Sequence, residues 1–123
     1  MKTIATDTAP AAIGAYSQAI VANGLVFVSG QLPLSPENGV MVTSGIKAET
    51  EQAIKNISAI LSAAGSDLTK VVRATCYLTN IKSFNDFNEV FARYFTGKPA
   101  RVCVEVAALP RGASVEIEAI ATE

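Results

Sequence analysis

The sequence predicts an α+β fold in which one face of a β-sheet carries two helices. Three observations support this prediction. Strand-like and helix-like segments follow one another in the order β-β-β-α-β-α-β-β. An Asn-Gly pair joins two of the strand-like segments as a hairpin. No linker, repeat or low-complexity segment interrupts the 123 residues, so we expect a single domain over residues 1–123.

The N-terminal part of the chain predicts three strands. A short strand is expected over Met1–Thr6. The next two, Ser17–Ala22 and Leu25–Leu32, flank Asn23-Gly24, a pair in which both residues tolerate a positive φ. Leu25–Val28 is a continuous apolar run, which indicates a strand that is buried on both faces.

Two segments carry the three- and four-residue spacing of an amphipathic helix. Ile46–Ala64 is the first, and Gly65 directly after it suits the left-handed residue that commonly follows a helix. The second opens at Ser83, where Asp86 three positions later makes a capping-box-like pair. Its apolar face consists of Phe84, Phe87, Phe91 and Tyr94 or Phe95.

Three further strands are predicted over Val71–Leu78, Pro99–Val106 and Val115–Ala121. In the middle one, Pro99 cannot donate a hydrogen bond to a sheet and therefore suits the strand entrance. The residues after it alternate with three valines, so one face of this strand is valine and the other carries Arg101.

The composition points to self-association rather than to nucleic-acid binding. Only 17% of the residues are charged, against about 25% in typical domains. We therefore expect an oligomer that buries part of a sheet face between subunits. The net charge is −1 and the ten Lys and Arg are scattered, whereas a nucleic-acid interface needs clustered positive charge.

The absence of histidine narrows the possible chemistry, because it excludes His-based triads and His metal sites. The two separated cysteines and the dispersed carboxylates make no convincing metal site either, so we expect no metal. The two cysteines, Cys76 and Cys103, lie in predicted strands and form no CxxC pair, so two free buried thiols are expected. The sequence shows no signal-peptide pattern and no membrane-length apolar run, which predicts a cytoplasmic protein without a membrane partner.

Charged residues on two strands are candidates for chemistry. Arg101 offers a planar fork that matches a carboxylate, although a surface arginine on an edge strand fits the same pattern. Glu116 and Glu118 share one face of a strand otherwise built of Val, Ile and Ala, and they form either a solvated face or a functional one. If the last two strands form a hairpin, its parity decides whether Arg101 and Glu116 face the same side, and the loop length does not fix that parity.

Four other positions are less specific. Tyr16 lies in a loop and Ser29 ends a very hydrophobic strand, and local turn hydrogen bonds explain both residues equally well. Cys103, with valine on both sides, is typical of a small hydrophobic residue. Asn88 lies among apolar residues of the second helix and either points toward a pocket or is simply exposed.

Taken together, these segments resemble the Rid family (RidA, YjgF or L-PSP) over essentially the whole chain. The most specific part is Pro-Ala-Arg-Val-Cys-Val-Glu-Val at 99–106, followed by Glu-Ile-Glu-Ala-Ile-Ala at 116–121. Ala9–Gln18, Phe27–Pro33 and Phe84–Phe91 also match. The resemblance implies a chorismate-mutase-like α+β subunit in a homotrimer, with a central barrel and active sites between subunits.

The resemblance also implies an activity, the cofactor-free hydrolysis of 2-aminoacrylate, 2-iminobutyrate and 2-iminopropionate to 2-keto acids and ammonia. By position, Arg101 would clamp the substrate carboxylate and Glu116 would orient or activate the attacking water. The remaining substrate-binding positions are Tyr16, Ser29, Gly30, Asn88 and Cys103, the last through its backbone. Two departures from the family concern the cleft: Thr96–Pro99 looks shorter than in typical members, and Ala15 replaces a common proline.

Two other functions stay open at this point. The family has also been described as an endoribonuclease or translation inhibitor, which the missing histidine and basic stripe make the weaker alternative here. A non-catalytic trimer that binds small carboxylates would use Arg101 equally well. Glu116→Gln separates an enzyme from such a binding protein, because only an enzyme loses turnover while it keeps its ligand.

Overall fold

The computed structural model describes residues 1–123 and contains one six-stranded sheet with two helices on one of its faces. The strands are β1 Lys2–Ile4, β2 Ala19–Ala22, β3 Leu25–Gln31, β4 Val71–Leu78, β5 Ala100–Glu105 and β6 Val115–Thr122, and the helices are α1 Ile46–Ala63 and α2 Phe84–Tyr94. The predicted α+β class and element order are confirmed.

The strand order β1-β2-β3-β6-β4-β5 places the last strand inside the sheet. β6 pairs antiparallel with both β3 and β4, whereas β5 pairs only with β4, in parallel, and forms the edge. The last two strands therefore form no hairpin with each other, so hairpin parity does not decide which faces Arg101 and Glu116 occupy. The connection after β3 leaves a position open beside that strand, and β6 fills it instead of pairing with β5.

Both helices lie on the same face because their connections run the same way. β3–α1–β4 and β4–α2–β5 each join parallel strands and advance in the same direction across the sheet. Since such crossovers are right-handed, both helices reach the same side. The hydrophobic core lies between that side and the helices, with Ile54 and Ile57 from α1 and Phe87 from α2 fully buried.

The helix ends test two local predictions. Gly65 has a φ of 81°, and its N–H and that of Ser66 bond back to the carbonyls of Ser62 and Leu61, which is the predicted left-handed helix end. The capping box at Ser83 is wrong. Ser83 has helical backbone angles and caps nothing, because a short 3₁₀ turn precedes α2 and the Asn80 side chain caps that turn instead.

The other face of the sheet is open in the single chain. Phe27 is 41% exposed, although Val26 and Val28 on either side of it belong to the core. We expected this strand to be buried on both faces, but in the single chain only one of its faces is buried. Val102 and Val104 of β5 lie on the same open face and are about as exposed. An apolar open face fits the expectation of subunit contacts. Neither helix has the length and hydrophobicity that a membrane span requires.

Candidate active site

A pocket of about 630 Å³ collects four of the predicted site residues. Tyr16, Ser29, Gly30 and Glu116 all line it, together with Arg111 from the loop before β6. Its wall is completed by apolar residues from the loops around it, namely Pro10, Ala11, Ile13, Leu32, Leu34 and Pro110. We call this the Glu116 pocket.

Glu116 reaches this pocket because of the strand period. Its neighbours Val115 and Ile117 are fully buried in the core, so the Glu116 side chain points to the opposite, open face of the sheet. Burial raises the pKa of the Glu116 carboxyl above its ordinary value, and the charge of nearby Glu118 raises it further. A raised pKa makes a carboxylate a stronger base, which is the direction that favours proton transfer from water.

Gly30 makes room for this carboxylate. A Cβ atom built on Gly30 would lie 2.9 Å from the carboxyl carbon of Glu116, closer than real side chains approach. β3 is also irregular here, because its pairing with β6 shifts register between Val28 and Gln31. The absence of a side chain at position 30 therefore serves the Glu116 side chain directly.

The hydroxyl of Ser29 is already engaged within the chain. Its Oγ donates to the carbonyl of Ser17 at 2.5 Å, and its N–H donates to the carbonyl of Gln18 at 2.9 Å. The local hydrogen bonding considered for Ser29 is thus present. The oxygen of Ser29 keeps its acceptor capacity toward the pocket.

The loop that carries Tyr16 is held by a buried glutamine that the sequence did not single out. Gln18 donates through Nε2 to the carbonyls of Pro10 and Thr6 at 2.8 and 3.1 Å, and its Oε1 accepts from the Thr6 N–H at 2.7 Å. Tyr16 itself is about half exposed at the pocket wall. Gln18 therefore fixes the loop while leaving the tyrosine accessible.

Arg101 and Asn88 meet in a second, smaller pocket of about 320 Å³, which we call the Arg101 pocket. Arg101 donates through Nη1 to Asn88 Oδ1 at 2.6 Å. Its guanidinium carbon lies 4.8 Å from the ring centre of Phe91 and 5.3 Å from that of Phe84. The arginine is thus oriented by α2 rather than free on the surface, and Asn88 faces it rather than solvent alone.

Arg101 has no carboxylate partner within the chain. The two ion pairs present join Lys47 to Glu89 and Lys55 to Glu51, and neither includes Arg101. A half-buried guanidinium with one neutral hydrogen-bond partner keeps most of its five donors for another acceptor. This arrangement is suited to an anion that arrives from outside the chain.

Cys103 lies beside this pocket on the same side of β5 as Arg101. It is paired in register with Cys76 on β4, and both thiols are free, as predicted. Cys103 is half-buried rather than buried as expected, because β5 is an edge strand. Burial raises the pKa of both thiols, that of Cys76 to about 12, so neither is a reactive thiolate near neutral pH.

The two pockets lie on opposite faces of the sheet. Arg101 is in register with Ala74, a core residue beneath the helices, whereas Glu116 is in register with Tyr77 on the open face. The chain alone therefore does not bring Arg101 and Glu116 together. Their relative placement depends on the order of the strands, which the sequence did not reveal.

Two cationic side chains that the sequence did not single out also line these pockets. Arg111 lines the Glu116 pocket and Lys98 lines the Arg101 pocket, and both have left-handed backbones with φ values of 58° and 51°. Arg111 also donates to the carbonyl of Gly39 at 3.2 Å. The only sequence signal was the position of each residue next to a Gly or Pro before a strand that carries a candidate residue.

The fold and the two pockets define an α+β protein with an unpaired arginine at a sheet edge and a partly buried carboxylate on the open face. The chain belongs to the family described as Endoribonuclease L-PSP, which matches residues 6–123. The resemblance that the sequence indicated is thereby confirmed.

Individual relatives carry several names. The chain is 49% identical to the rat 2-iminobutanoate/2-iminopropanoate deaminase, over 99% of this chain and 90% of that protein. It is 51% identical to AldR of Lactococcus lactis, named as a candidate regulator, over 98% and 97% of the two chains. The crystal structure of Escherichia coli TdcF with bound serine superposes with a TM-score of 0.95 at 35% identity, over 100% and 99% of the two chains.

Proposed function

We propose that this protein is an enzyme that hydrolyses reactive enamine and imine intermediates, namely 2-aminoacrylate, 2-iminobutyrate and 2-iminopropionate, to 2-keto acids and ammonia. Relatives nearly half identical over almost the whole chain are named as deaminases of this kind. A related structure with bound serine also supports a small amino-acid-like ligand. Free thiols on both cysteines favour a cytoplasmic location.

The observation that carries this proposal is the half-buried Arg101 guanidinium without a carboxylate partner. A small 2-imino acid carries a carboxylate that such a fork binds in a bidentate manner. Arg101 is already held by Asn88 and two aromatic rings, so little side-chain entropy is lost on binding.

We further propose that the working site lies between subunits of a homotrimer. Because Arg101 and Glu116 lie on opposite faces of one sheet, a site that uses both needs two copies of the chain. The apolar open face, with Phe27, Val102 and Val104 exposed, offers a surface that a neighbouring copy would bury. In such an assembly, Arg101 of one subunit reaches the Glu116 pocket of the next.

The reaction needs orientation and one proton carrier. Arg101 holds the substrate carboxylate, which fixes the C2 carbon of the protonated imine beside a water molecule. Glu116 takes a proton from that water as the oxygen bonds to C2, and then returns it to the nitrogen. Glu116, ionised again, accepts the proton of the new C2 hydroxyl as the C2–N bond breaks, so that the carbonyl of the 2-keto acid forms and ammonia leaves. That proton then passes from Glu116 to the ammonia, which departs as ammonium.

The other predicted residues shape the pocket around this step. Gly30 leaves space for the Glu116 carboxyl group, and Tyr16 and Ser29 line the same pocket. Asn88 orients the Arg101 fork. Cys103, with its thiol neutral, contributes through its backbone on the exposed edge of β5.

Glu116→Gln tests the proposal directly. With imine generated by threonine dehydratase, the wild-type protein should accelerate keto acid formation above the spontaneous rate, and Glu116→Gln should not. Binding of 2-ketobutyrate, followed by calorimetry, should persist in the variant. Glu123→Gln, which removes an exposed carboxylate at the chain end, is the control and should match the wild type. A wild type without acceleration above background contradicts the proposal, and keto acid binding with no turnover favours the non-catalytic binding protein.

The family description favours one second candidate, an endoribonuclease. The chain has no histidine and a net charge of −1, and neither property suits general acid–base cleavage of a polyanion. RNA cleavage by nuclease-free protein that is lost in Glu116→Gln, without imine hydrolysis, would favour this candidate instead.

A further inference from the structure

Two polar residues beside Glu116 form a pair that the proposed reaction does not yet use. Glu118 lies two positions along β6 and therefore points to the same open face as Glu116. Tyr77 is the register partner of Glu116 on β4, and its hydroxyl donates diagonally to Glu118 Oε1 at 2.5 Å. The three side chains thus form one cluster on the open face.

The hydrogen bond fixes the Glu118 carboxylate in place. A hydroxyl that donates to a carboxylate oxygen stabilises the charged form and holds its position. This bond, together with burial, raises the pKa of Tyr77 to about 12, so Tyr77 stays a donor over the whole working range. A fixed negative charge therefore lies next to the carboxyl group that carries the reaction's proton.

Within the chain, the other charged groups around Glu116 do not cancel this charge. Arg111 lines the same pocket, but its guanidinium is exposed and donates to the carbonyl of Gly39. Arg101 of the neighbouring subunit, which the proposed assembly brings to this pocket, pairs with the substrate carboxylate. Arg73 on β4 lies in a groove with Glu118, without an ion pair between them. Glu116 itself takes part in no ion pair within the chain. Glu118 is the charge that raises its pKa, next to burial.

We propose that Tyr77 and Glu118 are positioning residues that hold a fixed negative charge beside Glu116, so that Glu116 binds a proton tightly enough to carry it from water to the leaving nitrogen. This inference rests on the proposed function. Neither residue touches the substrate; both act through Glu116. Two neighbouring carboxylates resist ionising together, which is the general reason that one of them retains its proton.

Glu118→Gln is the primary test because it removes the charge while keeping the size of the side chain. We expect the acidic limb of the kcat/KM profile to move to lower pH. The titration of the Glu116 side chain, followed by ¹³C NMR, should move in the same direction. We also expect kcat at neutral pH to fall up to about tenfold, since a weaker base drives proton transfer less well.

Tyr77→Phe tests the role of the hydrogen bond. In this variant Glu118 keeps its charge but loses the contact that holds it near Glu116. The acidic limb of the kcat/KM profile and the NMR titration of Glu116 should therefore both move to lower pH, by less than in Glu118→Gln. Glu123→Gln removes the same charge at the chain end and should shift neither readout.

The inference is wrong if Glu118→Gln hydrolyses imines with an unchanged pH profile and an unchanged Glu116 titration. It is also wrong if Tyr77→Phe shifts neither readout. A wild-type protein that does not accelerate imine hydrolysis overturns the proposed function instead. In that case the NMR titration still decides whether Glu118 controls the protonation of Glu116.

Discussion

The Arg101 pocket and the Glu116 pocket position their charged side chains in different ways. Arg101 is held from outside the sheet, by the amide of Asn88 and the rings of Phe84 and Phe91 on α2. The Glu116 carboxyl group fits its position because Gly30 has no side chain, and the buried residues on the other face of its strand keep that strand in place. One pocket stabilises a charge by contacts, whereas the other makes a charge less stable by burial.

The way each side chain is positioned matches the face of the sheet on which its pocket lies. The aromatic rings that orient Arg101 belong to a helix, and both helices cover the same face. Glu116 lies on the open face, where burial raises the pKa of its carboxyl group and the charge of Glu118 raises it further. A reaction that needs a strong anion clamp and a proton carrier can therefore draw one from each face, provided that two copies of the chain meet.

The largest effect is expected from removal of the clamp. Arg101→Ala should lose roughly 2–5 kcal/mol of transition-state stabilisation, as when one partner of a desolvated charge pair is truncated. That corresponds to about a 30- to 5,000-fold loss of kcat/KM in the coupled keto acid assay. Arg101→Lys is the matched control, which keeps the charge but not the fork and should retain part of the activity. Unchanged hydrolysis in Arg101→Ala removes the clamp assignment.

Mixing two inactive variants tests whether the pockets of different subunits cooperate. Co-expressed Arg101→Ala and Glu116→Gln chains should regain about a quarter of wild-type activity. A shared site works when the subunit that supplies its arginine and the subunit that supplies its glutamate both carry the intact residue, and each of these conditions holds in about half of the cases. Each variant expressed alone provides the background. No recovery in assemblies proven to be mixed would mean that a single chain supplies both residues, and a monomer at micromolar concentration in sedimentation would exclude the shared site altogether.

A smaller loss is expected when the space beside Glu116 is filled. Gly30→Ala places a methyl group against the Glu116 carboxyl, whose flexible end must move. Displacement of a reacting group by about 1 Å costs up to about 100-fold, so we expect a 10- to 100-fold lower kcat. The free energy of unfolding, measured in urea, is the control and should change little. An unaltered kcat would show that Glu116 tolerates the shift.

The strained residues near each pocket should affect stability only slightly. Lys98→Gly and Arg111→Gly each relieve a left-handed backbone, which costs about 1–2 kcal/mol in a non-glycine residue, less the extra entropy that glycine loses on folding. We expect a net gain of about 0.5–1 kcal/mol per substitution in urea unfolding. Lys98→Ala and Arg111→Ala keep the strain and are the matched controls. A gain in the alanine variants as well would mean that charge, not backbone strain, is responsible.

The smallest effect concerns the pH dependence of stability. Because folding raises the pKa of Glu116 above its ordinary value of 4.5, its ionisation favours the unfolded chain. The stability that protonated Glu116 contributes to the folded chain is fully present below pH 4.5 and is lost as the pH rises through the raised pKa. Glu116→Gln should therefore be more stable than the wild type at pH 7.5 but not at pH 4, in urea unfolding at both values. The opposite trend would mean that folding stabilises the charged form.

Local patterns predicted much of the fold, whereas the candidate site residues came from the resemblance to the family. The turn at Asn23-Gly24 and the helix end at Gly65 were recognisable because only a few residue types adopt positive φ readily. The capping box at Ser83 was not a cap, since the preceding 3₁₀ turn already had its own cap in Asn80. Pattern alone does not tell which of two nearby caps the backbone uses.

The sequence by itself determined the elements, the absence of histidine chemistry, and the presence of an arginine on one strand and two glutamates on one face of another. These properties depend on residue type and on spacing within one segment. Only the tertiary structure decided that β6 inserts between β3 and β4, that α2 covers Arg101 and that Glu116 points to the other face. Strand order and side-chain pairing depend on contacts between residues distant along the chain, which no local period records.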